Sequence, residues 1–256
     1  MKVVTNAREL PSACAFVPTM GALHAGHASL FTLAKHYSES VVASIFVNPL
    51  QFESNEDLAK YPRTPDIDIE IAAASGVTHL WLPLHDEIYP EGFTKQSAGP
   101  IGDIYEGKSR PGHFDGVLTV VRRLFDLVNP KVAIFGEKDF QQLQLIKTIA
   151  GDIEIITAPT IRESDGLALS SRNVRLAPEG RTAAGVIYRA LVQAKNEEEL
   201  RAILATESAL TIDYADFIDE KTFGHAQSDT QQVRAIIAGW INGVRLIDNM
   251  TMGNRA

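Results

Sequence analysis

Five apolar, β-branched runs punctuate the first 160 residues of this chain: Ala13–Val17, Val41–Val47, Val77–Leu82, Lys131–Phe135 and Ile153–Thr157. Stretches with helical spacing separate them: His27–Tyr37, Pro65–Ser75, Phe114–Val128 and Asp139–Ile149. Near-continuous apolar strands alternating with amphipathic helices require a parallel sheet covered on both faces. That architecture also dictates where a ligand goes, because such sheets bind beyond the carboxyl ends of their strands. The chemistry-rich stretches do follow strands: Pro18–His27 after the first run, Asn48–Gln51 after the second, and Gly136–Gln142 after the fourth.

Beyond Ser164-Asp165-Gly166 the pattern changes. Helical stretches run from Pro178 to about Lys195 and from Glu197 to Thr206, followed by extended segments at Thr211–Asp219, Val233–Trp240 and, shorter, Val244–Ile247. Helices followed by neighbouring strands predict a small α+β domain, so the chain divides into residues 1–160 and 161–256. A length of 256 residues supplies both parts with a core. The net charge of −8 argues against broad binding to nucleic acid or an anionic membrane. No apolar run approaches the roughly 20 residues of a membrane span. With one cysteine, Cys14, no intramolecular disulfide forms, and Cys14 reads as a core residue of an apolar strand. The N-terminus has no signal-peptide core, which together predicts a cytoplasmic protein.

The segment Pro18-Thr19-Met20-Gly21-Ala22-Leu23-His24-Ala25-Gly26-His27 joins a strand to a helix. The first N–H groups of a helix are unpaired and its dipole adds partial positive charge, so this corner favours an anion, most often a phosphate. His24 and His27 flank Gly26 there, although H-x-x-H alone also describes a metal pair or ordinary turn histidines. Gly136-Glu137-Lys138-Asp139 follows another strand, with Lys138 suited to a phosphate or carboxylate. Asp139 reads as a helix N-cap or as an acceptor for a ribose hydroxyl. In Asp165–Asn173, a glycine turn is followed by Ser170, Ser171 and Arg172, a set that closes on phosphate oxygens or else caps a helix. Asn48 and Gln51 offer uncharged donors and acceptors to a polyhydroxylated substrate, or form a turn. Arg110-Pro111-Gly112-His113-Phe114 is polar and glycine-rich, and orders a loop, a subunit contact or a substrate.

Taken together, P-T-M-G-A-L-H-A-G-H, F-V-N-P-L-Q-F, K-Y-P-R-T, R-P-G-H-F-D-G-V-L-T-V-V, F-G-E-K-D-F-Q-Q and D-G-L-A-L-S-S-R-N resemble the pantoate–β-alanine ligase family. That family belongs to the nucleotidyltransferases with HIGH and KMSKS-like motifs. The resemblance covers most of residues 13–176. It departs at Leu169, where methionine is usual, at Glu53, where glycine is common, and in a shorter N-terminal segment interrupted by Pro11.

The resemblance implies a Rossmann-like ATP- and pantoate-binding N-terminal domain and a small C-terminal domain that carries the phosphate loop and acts as a lid. It implies that pantoate attacks the α-phosphate of ATP to give pantoyl adenylate and pyrophosphate, and that β-alanine then displaces AMP, in pantothenate and coenzyme A biosynthesis. His24, His27, Lys138, Ser170, Ser171 and Arg172 become the catalytic set. Pro18, Met20, Gly26, Gly136, Asp139, Ile161 and Leu169 join them around ATP. Gln51, Gln142, Met20 and Asn48 meet pantoate, and Tyr61 lies near the β-alanine entrance. Mg²⁺ accompanies ATP with no protein ligand named, and a homodimer forms through the N-terminal domain. Three alternatives stand beside this one: a nucleotidyltransferase acting on a phosphate ester, a metal-dependent hydrolase using His24 and His27, and a non-catalytic nucleotide-binding regulator.

Overall fold

A computed structural model describes residues 1–52 and 54–253, so the departure at Glu53 lies outside the described residues. The chain forms two compact units, Met1–Pro159 and Thr160–Ala256.

In the first unit β1 (Lys2–Val4), β2 (Ala15–Thr19), β3 (Val41–Ile45), β4 (His79–Trp81), β5 (Val132–Gly136) and β6 (Glu154–Ala158) make one sheet. The order is β1-β4-β3-β2-β5-β6 and each pairing is parallel. The helices of this unit are α1 (Ala25–Ala34), α2 (Asn55–Lys60), α3 (Pro65–Ala74), α4 (His85–Ile88), α5 (Glu106–Ser109), α6 (His113–Val128) and α7 (Phe140–Ile149). Successive strand residues point to opposite faces, and the cores follow that period. Phe16, Val42 and Phe135 pack with Phe114, Leu118 and Phe125 of α6 and Leu143 and Ile146 of α7. Their neighbours Ala15, Val17, Val41, Ala43 and Ile134 pack on the other face with Phe31 of α1 and Ala72 of α3. Both faces being apolar explains why the strands read as continuous hydrophobic runs.

From β2 the chain builds the sheet outward through β3 and β4, then returns to place β5 and β6 on the other side of β2. The strand order reverses between β2 and β5, and sheets of this kind take their ligands beyond the carboxyl ends of the strands at such a point.

The second unit packs α8 (Pro178–Ala183), α9 (Gly185–Gln193) and α10 (Glu197–Leu204) on an antiparallel sheet of β7 (Leu210–Asp219), β8 (Val233–Ile241) and β9 (Val244–Thr251). Ile187, Leu191, Leu200, Ala235, Ile237 and Ile241 form its core.

Some details depart from the sequence reading. β1 was unforeseen: it is three residues long, largely exposed, and pairs with β4 at the sheet edge. A 3-10 turn at Ala7–Glu9 follows it, capped by Asn6. The stretch expected as one helix to Lys195 divides at Ala184, where an i→i+3 bond from Ile187 tightens the path, and ends at Gln193. β9 continues to Thr251 rather than stopping at Ile247. Cys14 is fully buried, and burial pushes its thiol up to about 11, which keeps it protonated and inert as a nucleophile.

Candidate active site

The turn after β2 is held from behind. Thr19 Oγ1 donates to Ser44 O at 2.7 Å and accepts from Gly21 N at 3.2 Å. Asp68, on α3 and 2% exposed, accepts from Ala22 N at 3.1 Å, Leu23 N at 2.7 Å and Thr64 Oγ1 at 3.0 Å. Gly21 has φ +80°, and a Cβ there would stand 2.9 Å from Asp68 Oδ2, so the turn needs glycine for both conformation and space. Sequence reasoning missed Asp68. The only local signal is an acidic residue on a helix face that is otherwise apolar.

The two histidines form a reciprocal cap on α1. His24 Nδ1 accepts from Gly26 N at 3.1 Å, and His27 Nδ1 accepts from His24 N at 3.3 Å. The rings lie 4.2 Å apart, centroid to centroid. An Nδ1 that accepts a backbone N–H carries no proton, so in the neutral ring the proton is on Nε2. Each imidazole is thereby fixed as an Nε2–H donor. Burial, followed by the charge of Lys138, holds His24 below the ordinary imidazole range, with Asp139 acting in the opposite sense. Burial and then His24 push His27 down to about 3. Near neutral pH the pair donates hydrogen bonds without carrying charge.

Lys138 and Asp139 follow β5, next to β2 in the sheet, and their charges reach both imidazoles. Lys138 Nζ lies 3.7 Å from Asp139 Oδ1. Asp139 occupies the N-cap position of α7, as its place in the sequence predicts, although its side chain makes no capping hydrogen bond there. Gly136 ends β5 with open space where a side chain would project. Pro18, the penultimate residue of β2, lies in register with Ser44, and Met20 follows the strand.

Asn48 follows β3 and is 1% exposed. Its Oδ1 accepts from Tyr89 Oη at 2.5 Å and from Leu50 N at 3.1 Å. Its Nδ2 donates to Gly116 O at 3.0 Å and to Gln51 Oε1 at 3.1 Å. All four positions of the amide are filled by protein. Because Gly116 O only accepts, the orientation of Asn48 is fixed, and Gln51 must turn its Oε1 to Asn48 and its NH₂ away. Gln142 is half-buried on α7 beside the buried Gln141. Tyr61, at the end of α2, packs edge-on against Phe52 at 5.6 Å.

In the second unit, Glu163 N donates to Leu167 O and Leu169 N to Ile161 O, both at 2.9 Å, making a short hairpin. Arg162 anchors it: Nη1 donates to Gly166 O at 3.0 Å and the guanidinium grips the buried Asp248 at 2.5 and 2.9 Å. Asp165 pairs with Arg181, which holds its carboxyl below the usual range. Ser170 Oγ accepts from Arg172 N at 3.2 Å, and Ile161, Leu169, Ser170, Ser171 and Arg172 are each partly exposed. Neither Arg162 nor Asp248 was singled out from the sequence.

Among the described residues, the set of three metal-ligating side chains brought together is Glu197, Asp216 and His225, which includes neither His24 nor His27. The alternative of a hydrolytic metal centre built on those two histidines therefore gains no third ligand among the described residues. No helix among the described residues is long and apolar enough to cross a membrane.

Residues 1–251 match the sequence profile of a family described as pantoate-beta-alanine ligase. A pantothenate synthetase of Acidothermus cellulolyticus is 48% identical, over 93% of this chain and 85% of its own. The crystal structure of pantothenate synthetase from Thermus thermophilus superposes with a TM-score of 0.94 at 40% identity, covering 99% of this chain and 100% of that one. The pantoate-beta-alanine ligase of Francisella tularensis, solved in complex with beta-gamma ATP and β-alanine, gives a TM-score of 0.84 at 38% identity, covering 98% of each chain.

Proposed function

The chain belongs to the pantoate–β-alanine ligase family, and from that premise we propose how its residues divide the work of joining pantoate to β-alanine with ATP. In the first half-reaction a pantoate carboxylate oxygen attacks the α-phosphorus. The bond to the bridging oxygen breaks, and pyrophosphate leaves with its electron pair. In the second, the β-alanine nitrogen attacks the acyl carbon, loses a proton, and AMP departs. Two anions must approach in the first step and charge builds on the leaving group, so catalysis is mainly positioning and electrostatic stabilisation.

The observation that carries this reading is the fixed protonation of His24 and His27. Their Nδ1 atoms are occupied by backbone N–H groups, which leaves two neutral Nε2–H donors at the start of α1 for the triphosphate. Lys138 bridges the α-phosphate and the pantoate carboxylate and offsets their repulsion. Ser170, Ser171 and Arg172 take the β- and γ-phosphates. In the first unit Pro18, Gly26, Gly136 and Asp139 take the adenosine and its phosphates, and family resemblance assigns Ile161 and Leu169 of the second unit to ATP as well. Gln51, with its NH₂ turned away from Asn48, and Gln142 take the pantoate hydroxyls and carboxylate, and Met20 packs its gem-dimethyl group. Asn48 serves the same pocket by holding Gln51. Tyr61 stands near the β-alanine entrance.

Mg²⁺ arrives with ATP. Among the described residues, the side-chain charges from Lys138 and Asp139 reach both histidines, a set with little to offer a divalent cation, so the ion would be held mainly by phosphate oxygens and water. When bound, it neutralises phosphate charge. We also infer a homodimer formed through the first unit, and a cytoplasmic setting, both on family resemblance; sedimentation velocity checks the first.

ATP–pyrophosphate exchange with pantoate and Mg²⁺, without β-alanine, tests the reading. Exchange should depend on pantoate and fall about 100- to 1000-fold in Lys138→Ala, the usual cost of one transition-state donor, with an unchanged melting temperature. Near-normal exchange in a folded Lys138→Ala protein would remove Lys138 from this role. Exchange supported by a phosphorylated acceptor, and absent with pantoate, would move the chemistry to a phosphate-ester substrate.

A further inference from the structure

Arg110-Pro111-Gly112-His113 has no role in the reaction described so far, yet its two polar side chains converge on one atom. Arg110 Nη2 donates to Gln51 O at 3.3 Å, and His113 Nδ1 lies 3.0 Å from the same oxygen. Arg110 Nη1 lies 3.0 Å from His113 Nε2. A guanidinium only donates, so Nε2 must accept and carries no proton. The proton of the neutral ring then sits on Nδ1 and is donated to Gln51 O. Arg110 therefore selects the tautomer of His113 and shares its acceptor. His113 is 7% exposed, so this pairing is shielded from water.

The same stretch of chain holds Gln51 in two further ways. Gly116, one turn into α6, accepts from Asn48 Nδ2, and Asn48 holds the Gln51 side chain. A Cβ on Gly116 would stand 2.2 Å from Leu50 O and 2.9 Å from Gln51 N, so α6 presses directly on this backbone. Farther back, Glu106 N donates to Gln141 Oε1 at 3.1 Å, and Gln141 Nε2 donates to Ile101 O and Ile104 O at 2.7 and 2.8 Å. Gln141 is the immediate neighbour of Gln142. One segment, residues 101–116, thus ties the backbone of Gln51 to the start of α7.

We infer that Arg110 and His113 are positioning residues for pantoate: through the Gln51 carbonyl they set the placement of Gln51 relative to Gln142, and so the fit of a short hydroxy-carboxylate between the two amides. This rests on the assignment of Gln51 to pantoate. The triphosphate corner is built on other elements, so the effect falls on pantoate and spares ATP.

Steady-state kinetics of the full-length enzyme, varying pantoate and ATP in turn, test the inference with Gln51→Ala as the reference. Loss of the clamp is expected to raise the KM for pantoate about tenfold, or about 1.4 kcal/mol, in both His113→Ala and Arg110→Ala. The KM for ATP should move less than about twofold, well inside the scatter of a single weakened contact. His113→Asn places an amide N–H where Nδ1–H stands and should restore most of the pantoate KM; a residue that only fills space would give no such rescue. Should His113→Ala fail to fold, Arg110→Ala decides by the same split. Equal rises in both KM values, or none, alongside a pantoate-selective Gln51→Ala, would overturn the positioning role. A Gln51→Ala protein with an unchanged pantoate KM would instead overturn the assignment of Gln51, and this inference with it.

Discussion

The turn after β2 and the loop Asp165–Asn173 both present groups suited to phosphate, and they are held in opposite ways. The turn is anchored by neutral donors on one carboxylate: Ala22 N, Leu23 N and Thr64 Oγ1 all reach Asp68, and the two histidine rings accept the backbone N–H groups of His24 and Gly26. The loop is anchored by full ion pairs, one to the buried Asp248 and one nearer the surface between Asp165 and Arg181. A turn braced by backbone hydrogen bonds presents a fixed set of donors that needs no rearrangement when an anion arrives. A loop tethered at its base by charge keeps its tip, Ser170 to Arg172, partly exposed. Groups suited to the same ligand chemistry thus stand on very different supports, and the supports differ in what breaks them.

The sharpest break should come from Arg162→Ala. It strands the buried carboxylate of Asp248, which typically costs about 3–5 kcal/mol. Calorimetry should show the second unit melting well below the first, whereas a single unshifted transition would mean the loop does not depend on that pair. Asp68→Asn is the matching change in the turn. It keeps the volume but replaces one acceptor oxygen with a donor, leaving a backbone N–H of the turn unpaired at about 1–3 kcal/mol. Chemical denaturation should report that loss, together with weaker ATP binding; stability equal to wild type would show that water replaces the carboxylate.

Acid should separate the two regions further. His27 takes up its proton at about 3 in the folded protein, against 6.5 for a free imidazole. Between those values the unfolded chain binds the extra proton, so stability must fall as pH drops through this window, by at most about 1.4 kcal/mol per pH unit. Melting curves at pH 7, 6 and 5 should fall less steeply in His27→Gln than in wild type, and parallel slopes would contradict the buried, neutral imidazole. The smallest effect should belong to Arg181→Ala. Asp165 and Arg181 are 45% and 30% exposed, and an exposed pair is worth about 0–1 kcal/mol. A larger loss in urea denaturation would mean the loop relies on this pair as the turn relies on Asp68.

Much of the sheet was legible because each β2, β3 and β5 run is apolar on both faces and closes on a polar turn. The positions of Pro18–His27, Asn48–Gln51 and Gly136–Asp139 after those runs were legible for the same reason. β1 was not, since Lys2 and Val3 are exposed at the sheet edge and carry no burial pattern. The sequence also reads Asn48 as an open donor to substrate, whereas Tyr89, 41 residues away, helps to fill its amide.

Local order was therefore enough to determine the alternation of strand and helix, the polar turns at the strand ends and the family. Periodicity and turn chemistry are properties of neighbouring residues, and they survive in a linear string. Tertiary structure alone decided what stands behind each functional group. Asp68 reaches Leu23 across 45 residues, Arg110 reaches Gln51 across 59, and Arg162 reaches Asp248 across 86. Such partners meet only after the intervening chain has closed, and an isolated polar residue on a helix or strand leaves no spacing that announces its partner.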